Sequence, residues 1–264
     1  MNYEYRICCF IDILGFSNHI NSTIDEDEKD VVEKINNIKR VIDIAESILI
    51  EYDSGLSTSK MVTQFSDSFV VSFKIEERSE VFYSILDFLH IAFEFANKGY
   101  LTRGGISVGK LLHTDKYVFG PALVSAYKLE SKIANFPRII LDPDVMEVAK
   151  NFPLRINSSE EEMESLMGCL NLDSDGYYYI DYIESTVEEL DEHNYDLIPY
   201  LTNLKKLIEE GLRSKNKDVL IKNRWLKEKY NSYIIKILDN ISDWDDIDGD
   251  VELLLSFKNL TIIK

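Results

Sequence analysis

The stretch CCFIDILGF, residues 8–16, places a single acid, Asp12, directly after an apolar run. A strand that is covered on both faces reads as continuous apolar sequence, so residues 7–11 predict a central strand that leaves the core at Asp12. An unpaired carboxylate is costly at such a place. Three explanations are open: a helix N-cap, a salt bridge to a buried basic side chain, and a metal site with a second acid nearby.

The order of elements around this strand predicts the fold class. Apolar residues recur at helical spacing in several segments, and β-rich runs separate them. Strands are predicted within 7–11, 60–75 (a hairpin around Ser66–Ser68), 100–114, 137–142 and 176–183, and helices within 27–52, 78–97, 122–134, 197–212 and 217–238. This order predicts an α+β fold of the ferredoxin-like βαββαβ type, with an antiparallel-rich sheet, helices on one face and additional C-terminal helices.

Composition limits the classes of partner. The chain has 264 residues, 45% of them hydrophobic, and a net charge of −18, which argues against a broad surface for nucleic acid or anionic lipid. No apolar run approaches 18 residues, and the N-terminus lacks a signal-peptide pattern. Cys8 and Cys9 are adjacent and Cys169 is distant in the chain, so no disulfide framework is suggested. We therefore expect a cytoplasmic protein with no membrane or nucleic-acid partner.

One segment has the opposite charge balance. Residues 101–140 contain six Lys or Arg and two acids, a local charge of +4 in a strongly negative chain. This segment is suited to a small anionic ligand, although chance fluctuation explains it equally well.

A second acid is expected beside Asp12. In a βαββ order the first strand and the hairpin can be neighbours with axes about 4.8 Å apart, which brings Asp12 close to Asp67 near the hairpin tip. Two adjacent carboxylates repel each other, and a pair of divalent cations would relieve the repulsion. Such a pair suits in-line displacement at phosphorus. Taken singly, each acid is also explained by a cap or a turn.

Four blocks of the sequence resemble, in order and spacing, the class III nucleotidyl cyclase catalytic domains. They are FIDILGF, the acid in QFSDSFVVSF, TRGGISVG and FGPALVSAYKLES. Members of that family convert a nucleoside triphosphate into a 3′,5′-cyclic monophosphate and pyrophosphate. The details QFSDS, FPRII, DGYYYIDYI and RWLKEKYN are most similar to the bacterial Pycsar pyrimidine cyclases of anti-phage defence.

The resemblance implies roles for individual residues. Asp12 and Asp67 match the two aspartates that bind two divalent cations, Mg²⁺ or Mn²⁺, with the backbone carbonyl of Ile13 as a further ligand. Arg103 matches an arginine at the start of the fourth strand. Val124 and Lys128 occupy the places of an Asn and an Arg in purine cyclases, so Lys128 offers a point charge in place of a forked guanidinium.

The substrate-binding positions also depart from the purine pattern. Thr63 and Tyr117 occupy the places of the residues that read adenine or guanine, which favours UTP or CTP. Without the resemblance, they are an ordinary strand threonine and a half-buried tyrosine. Tyr127, Lys132 and Arg138 are further candidates for substrate binding.

The resemblance further implies the organisation of the protein. Residues 1–190 would form the catalytic domain and residues 191–264 a C-terminal helical extension packed on it. Sites in this family form between two catalytic domains, so a homodimer with composite sites is expected, whose cyclic product reaches a separate effector. Because the Asn and Arg are missing, a catalytically silent nucleotide-binding or regulatory module is the alternative, and a polymerase-like palm is a third possibility.

Overall fold

The computed structural model describes residues 2–51, 58–185, 193–240 and 251–264. The chain divides into two units: Met1–Phe95 with Tyr100–Asp181, and Ala96–Gly99 with Tyr182–Lys264. The boundary expected between residues 190 and 191 lies outside the described residues.

The first unit is built on one mixed sheet. Its elements in chain order are β1 (Glu4–Ile13), α1 (Phe16–Asn21), α2 (Val32–Glu46), β2 (Met61–Phe65), β3 (Ser68–Lys74), α3 (Glu80–Asn97), β4 (Thr102–His113), β5 (Val118–Phe119), α4 (Pro121–Lys128), β6 (Ile139–Leu141), α5 (Pro143–Asn151), α6 (Ser159–Gly168), β7 (Leu170–Leu172) and β8 (Tyr178–Ile180). Single π-helical turns, Ser47–Glu51 and Leu129–Ile133, follow α2 and α4. The sheet order is β2-β3-β1-β4-β6-β8-β7, and β5 pairs with β4.

The predicted fold class is confirmed. Each strand pairing among the described residues is antiparallel except β4 with β6. β1 is central, between β3 and β4, which explains its continuous apolar sequence. The hairpin of β2 and β3 turns at Ser66 and Asp67, and Ser66 adopts a φ of 58°.

Alternate residues of β1 face two different cores. Cys9 and Ile11 lie in the larger core, with buried side chains of α2, α3 and α5. Cys8 points to the other face, where it lies in a smaller cluster with Ala122 and Ala126 of α4. The expectation that the helices lie on one face therefore fits α2, α3 and α5, whereas α4 lies against the opposite face. The three cysteines are buried and free.

Gly105 in β4 allows α4 to approach the sheet closely. A Cβ atom added there would lie 2.5 Å from the carbonyl oxygen of Ala126 and 2.5 Å from the Cβ of Leu129. Ser107, two residues along the same face, donates a hydrogen bond of 2.7 Å to the carbonyl of Ala122. The glycine of the TRGGISVG block thus fixes the position of the helix that carries Lys128.

We expect Gly105→Ala to lower the free energy of unfolding by about 1–3 kcal/mol, since neither neighbouring atom is the end of a flexible side chain. Gly168→Ala is the matched control, because no atom lies within 4 Å of a Cβ added there. Urea denaturation of both variants measures the difference. Equal stability of the two variants would contradict the close packing of α4 on β4.

The second unit is helical, as the C-terminal sequence predicts. It contains α7 (His193–Leu212), α8 (Lys217–Asn240) and α9 (Val251–Lys258). Trp225, Tyr230 and Tyr233 of α8 are buried, and the hydroxyl of Tyr200 donates a 2.7 Å hydrogen bond to the carbonyl of Tyr182. None of the helices in the described ranges has both the length and the hydropathy that a membrane span requires.

Candidate active site

Asp12 and Arg103 face each other across β1 and β4. The strand register pairs the two residues directly, and Nη2 of Arg103 lies 3.5 Å from Oδ2 of Asp12. That separation is at the limit of a hydrogen bond. Oδ1 of Asp12 is buried and receives no hydrogen bond from an amide, a hydroxyl or a basic side chain of the described residues. Arg103 therefore compensates the Asp12 carboxylate only in part.

Glu130 lies closer to the guanidinium of Arg103 than Asp12 does. It lies in the π-helical turn after α4, is 2% exposed, and forms a close ion pair with the same Nη2 atom. Burial and the neighbouring Asp12 charge raise the pKa of Glu130 to about 7, because each disfavours its ionised form.

Asp67 adds a third carboxyl group at this end of the sheet. Asp67 lies in the turn that joins β2 and β3, next to Ser68, the first residue of β3. Burial is the main cause that raises the pKa of Asp12; the Arg103 charge opposes this, and the nearby negative charge of Asp67 adds to the increase. The effect of Asp67 on the pKa of Asp12 indicates that the two acids lie near each other, and their role as a pair of metal ligands stays a prediction.

The structure distinguishes the three explanations for Asp12. The first residue before α1 is Gly15, and no side chain caps that helix, so the N-cap explanation is wrong. The salt bridge exists, but Arg103 shares its charge with Glu130. The Asp12 carboxylate is therefore only partly compensated, because the Asp12 and Glu130 carboxyl groups share one guanidinium.

This donor set fits a hard divalent cation, which prefers carboxylate and carbonyl oxygens. Oδ1 of Asp12, which has no hydrogen-bond partner among the described residues, and the carboxylate of Asp67 are the candidate ligands. Among the described residues, no three or more His, Cys, Asp or Glu side chains are arranged to hold a metal ion. The ligand role of the Ile13 carbonyl and the number of cations stay predictions; the Ile13 side chain is 2% exposed.

Two lysines that are candidates for phosphate binding, one at the end of α4 and one in the π-helical turn after it, are accessible to solvent. Lys128 and Lys132 are exposed, and neither forms an ion pair with another described residue. Tyr127 is 52% exposed, and its ring meets that of Phe10 edge to face at 5.5 Å between centroids. These side chains lie on the sheet face that also carries Asp12 and Arg103.

Arg138 does not fit its predicted role in substrate binding. Its side chain is fully buried, and its guanidinium bonds Asp173 at 2.6 Å and also forms a close ion pair with Asp175. Three hydrogen bonds join Arg138 to these two aspartates. Because its donors face protein carboxylates, we correct the assignment: Arg138 links β6 to the turn between β7 and β8.

The two candidate base-reading residues differ in environment. Tyr117 is 57% exposed, in the turn between β4 and β5. Thr63 is partly buried on β2, and its hydroxyl lies 2.8 Å from Nε2 of His113. His113 is a residue that the sequence reasoning missed; it is 7% exposed, and burial, with the charge of Arg6, lowers its pKa to about 4.

The lowered pKa of His113 predicts a pH-dependent stability. Between pH 6.5 and about 4 the unfolded chain binds a proton that the folded chain excludes, so the stability falls as the pH is lowered through this window. We expect the wild type to lose roughly 2–3 kcal/mol more than His113→Gln across it. Urea denaturation from pH 7 to pH 4 measures both slopes. Parallel slopes would show that His113 titrates normally.

No protein-family model matches this chain, and no curated protein matches it. A solved bacterial light-regulated adenylyl cyclase is similar over 69% of this chain and 92% of its own, with 18% identity and a TM-score of 0.44. An adenylate/guanylate cyclase/hydrolase from Silicibacter pomeroyi is similar over 67% of this chain and 98% of its own, with 15% identity and a TM-score of 0.39. At this level of similarity the function has to be argued from the residues of the chain itself.

Proposed function

We propose that this protein is a nucleotidyl cyclase that converts UTP or CTP into the 3′,5′-cyclic monophosphate and pyrophosphate. The observation that carries the proposal is the uncompensated carboxylate of Asp12 at the end of a central strand, with Asp67 beside it. A stable fold gains nothing from such a pair unless a cation or a proton neutralises it. The motif order around these acids resembles that of the class III cyclases.

Asp12 and Asp67 would hold the divalent cations, Mg²⁺ or Mn²⁺, together with the Ile13 carbonyl. Bound there, the cations would neutralise charge at the α-phosphate and lower the pKa of the ribose 3′-hydroxyl. Arg103 and Glu130 support Asp12: the arginine holds its Oδ2 side, and Glu130 keeps the arginine in place. Oδ1 of Asp12 is then available to coordinate the cation.

We assign to Lys128 the role of stabilising the negative charge that develops on the phosphates. Lys132 lies one turn beyond it. A preformed cation at that point stabilises the transition state more than the ground state. Both lysines belong to the locally basic segment 101–140, and both are exposed. This is the charge arrangement that a triphosphate requires.

We propose a homodimer with composite sites, in which the acids of one subunit act with Lys128 of the other. Large apolar side chains are exposed beside both halves of the site: Phe65 is 79% exposed at the hairpin tip, and Val124 and Tyr127 are each 52% exposed on α4. A subunit interface would cover them. A cytoplasmic signalling role in anti-phage defence, through an effector that binds the cyclic product, belongs to the same proposal and has support only from the motif resemblance.

The experiment is to incubate the purified protein separately with UTP, CTP, ATP and GTP in the presence of Mn²⁺. Pyrophosphate release and chromatography of the nucleotide product are measured together. The proposal expects a cyclic pyrimidine monophosphate. A linear or dinucleotide product would instead indicate the polymerase-like reaction, and a cyclic purine product would overturn the pyrimidine assignment.

A silent nucleotide-binding module is the second candidate, and one position favours it. Val124 is exposed on α4 where the purine cyclases have an asparagine. A site without that hydrogen-bonding group still has the means to bind a triphosphate. Nucleotide binding without pyrophosphate release, in the same assay, would establish this alternative.

A further inference from the structure

A chain of buried polar side chains links Arg6 to Thr63. Nε of Arg6 donates to Oγ of Ser72 at 2.9 Å, Oγ of Ser72 lies 2.8 Å from Nδ1 of His113, and Nε2 of His113 lies 2.8 Å from Oγ1 of Thr63. Arg6, Ser72 and His113 are 2%, 0% and 7% exposed. Each of these three side chains is thus largely cut off from water, so its hydrogen bonds must be made inside the chain.

The arginine at one end of this chain of side chains determines the direction of the hydrogen bonds. Arginine can only donate, so Ser72 accepts from Arg6 and has its own hydroxyl hydrogen to place. Among the described residues the acceptor recorded for that hydrogen is Nδ1 of His113. Nδ1 is then the bare nitrogen, and Nε2 carries the hydrogen and donates it to Thr63.

The imidazole has one donor and one acceptor only if it is neutral. Burial and the nearby Arg6 charge lower the pKa of His113 to about 4, so the ring is neutral at pH 7. Protonated His113 would place a second N–H against the hydroxyl of Ser72. The serine would then face two donors, and its own hydrogen would be left without an acceptor.

Thr63 lies on the same face of the sheet as Asp12. It is paired with Val70, which is paired with Phe10, two residues before Asp12 on β1. Two strand spacings and two residues along the strand separate their Cα positions by roughly 12 Å. Under the proposed function, that is suitable for a nucleotide whose phosphates lie at Asp12 and whose base reaches Thr63.

We infer that Arg6 and Ser72 hold His113 in the Nε2–H tautomer, so that Thr63 presents its hydroxyl hydrogen to the base and selects UTP over CTP. This inference rests on the proposed function. Uracil and cytosine differ at position 4 and at the adjacent N3, and the inference assigns the Thr63 hydroxyl to the exocyclic atom at position 4. In uracil that atom is a carbonyl oxygen, which accepts the hydrogen; in cytosine it is an amino group, which would leave two donors facing each other.

The tautomer can be read directly in the unaltered protein. A long-range ¹H–¹⁵N correlation spectrum separates protonated from bare imidazole nitrogens, and His113→Gln identifies the signals of His113 among the four histidines. The inference expects a protonated Nε2 and a bare Nδ1 at pH 7. A protonated Nδ1 would overturn it, whether or not the protein turns over nucleotide.

The selectivity is measured as the ratio of kcat/KM for UTP to that for CTP, together with binding of non-cleavable UTP and CTP analogues. We expect the wild type and Thr63→Ser to prefer UTP at least about tenfold, one hydrogen bond of about 1.4 kcal/mol. Thr63→Val, which lacks the hydroxyl, and Ser72→Ala, which frees the tautomer, should reduce the preference to within about twofold.

The outcomes separate the inference from the proposed function. A preference for CTP, or a UTP preference that Ser72→Ala leaves intact, overturns the inference while the cyclase proposal stands. No binding of any nucleotide overturns both. Because the spectrum needs no substitution in the chain of hydrogen bonds itself, a Ser72→Ala protein that fails to fold does not remove the test.

Discussion

Replacing Asp12 by asparagine is expected to abolish cyclisation and leave the protein folded. An outer-sphere partner of a metal ligand is worth 10- to 100-fold in activity, so the loss of a direct ligand should exceed about 100-fold. Asp67→Asn should have a similar effect. Pyrophosphate release with Mn²⁺ and UTP or CTP measures both variants.

Stability distinguishes the loss of a ligand from the loss of the fold. The pKa of Asp12 is raised by burial and by Asp67, so its charge costs free energy in the metal-free protein. The metal-free Asp12→Asn protein should therefore be at least as stable as the wild type. Asp144→Asn, on the exposed start of α5, is the matched control and should retain activity. Full activity in Asp12→Asn would refute the assignment of Asp12 as a metal ligand.

Replacing Lys128 by methionine is expected to lower kcat about 10²- to 10³-fold with a smaller change in KM. Methionine keeps the length of the side chain and removes the charge. Lys128→Arg restores a cation and should recover much of the loss, which a purely structural role would not predict. Steady-state kinetics of the three proteins makes the comparison.

Mixing variants tests the composite site. Asp12→Asn and Lys128→Met proteins are each nearly inactive, yet a heterodimer of the two would contain one intact site if the acids and the lysine come from different subunits. Co-refolded mixtures should then regain activity. Mixtures that stay inactive, in a preparation where dimers form, would place Asp12 and Lys128 of one site on the same subunit.

Local sequence pattern predicted the elements that carry the site. The apolar run before Asp12 and the two β-rich runs around Asp67 correspond to β1 and to the hairpin of β2 and β3. The helices α5 and α6 were not predicted, although their signals are present: Asp142 caps α5, and Ser158 with Glu161 forms a capping box at the start of α6. These capping signals are short, and they lie outside the long periodic segments on which the prediction of helices rests.

The long-range polar contacts could not be predicted in the same way. Glu130 has the appearance of a solvated helix residue, and only the close approach of α4 to β4 brings it against Arg103. The sequence predicts Arg138 as a substrate ligand because it lies near Lys128 in the chain, whereas its actual partners, Asp173 and Asp175, lie 35 and 37 residues downstream. Local periodicity contains no information about such pairs.

The most direct test of the account is a titration of Mn²⁺ into the wild type, Asp12→Asn and Asp67→Asn, each with a non-cleavable pyrimidine triphosphate analogue present. Free Mn²⁺ is followed by its electron paramagnetic resonance signal. The account predicts that the wild type binds Mn²⁺ and that each variant binds it at least tenfold more weakly. Equal Mn²⁺ affinity in the three proteins would contradict the claim that these two acids hold the cations.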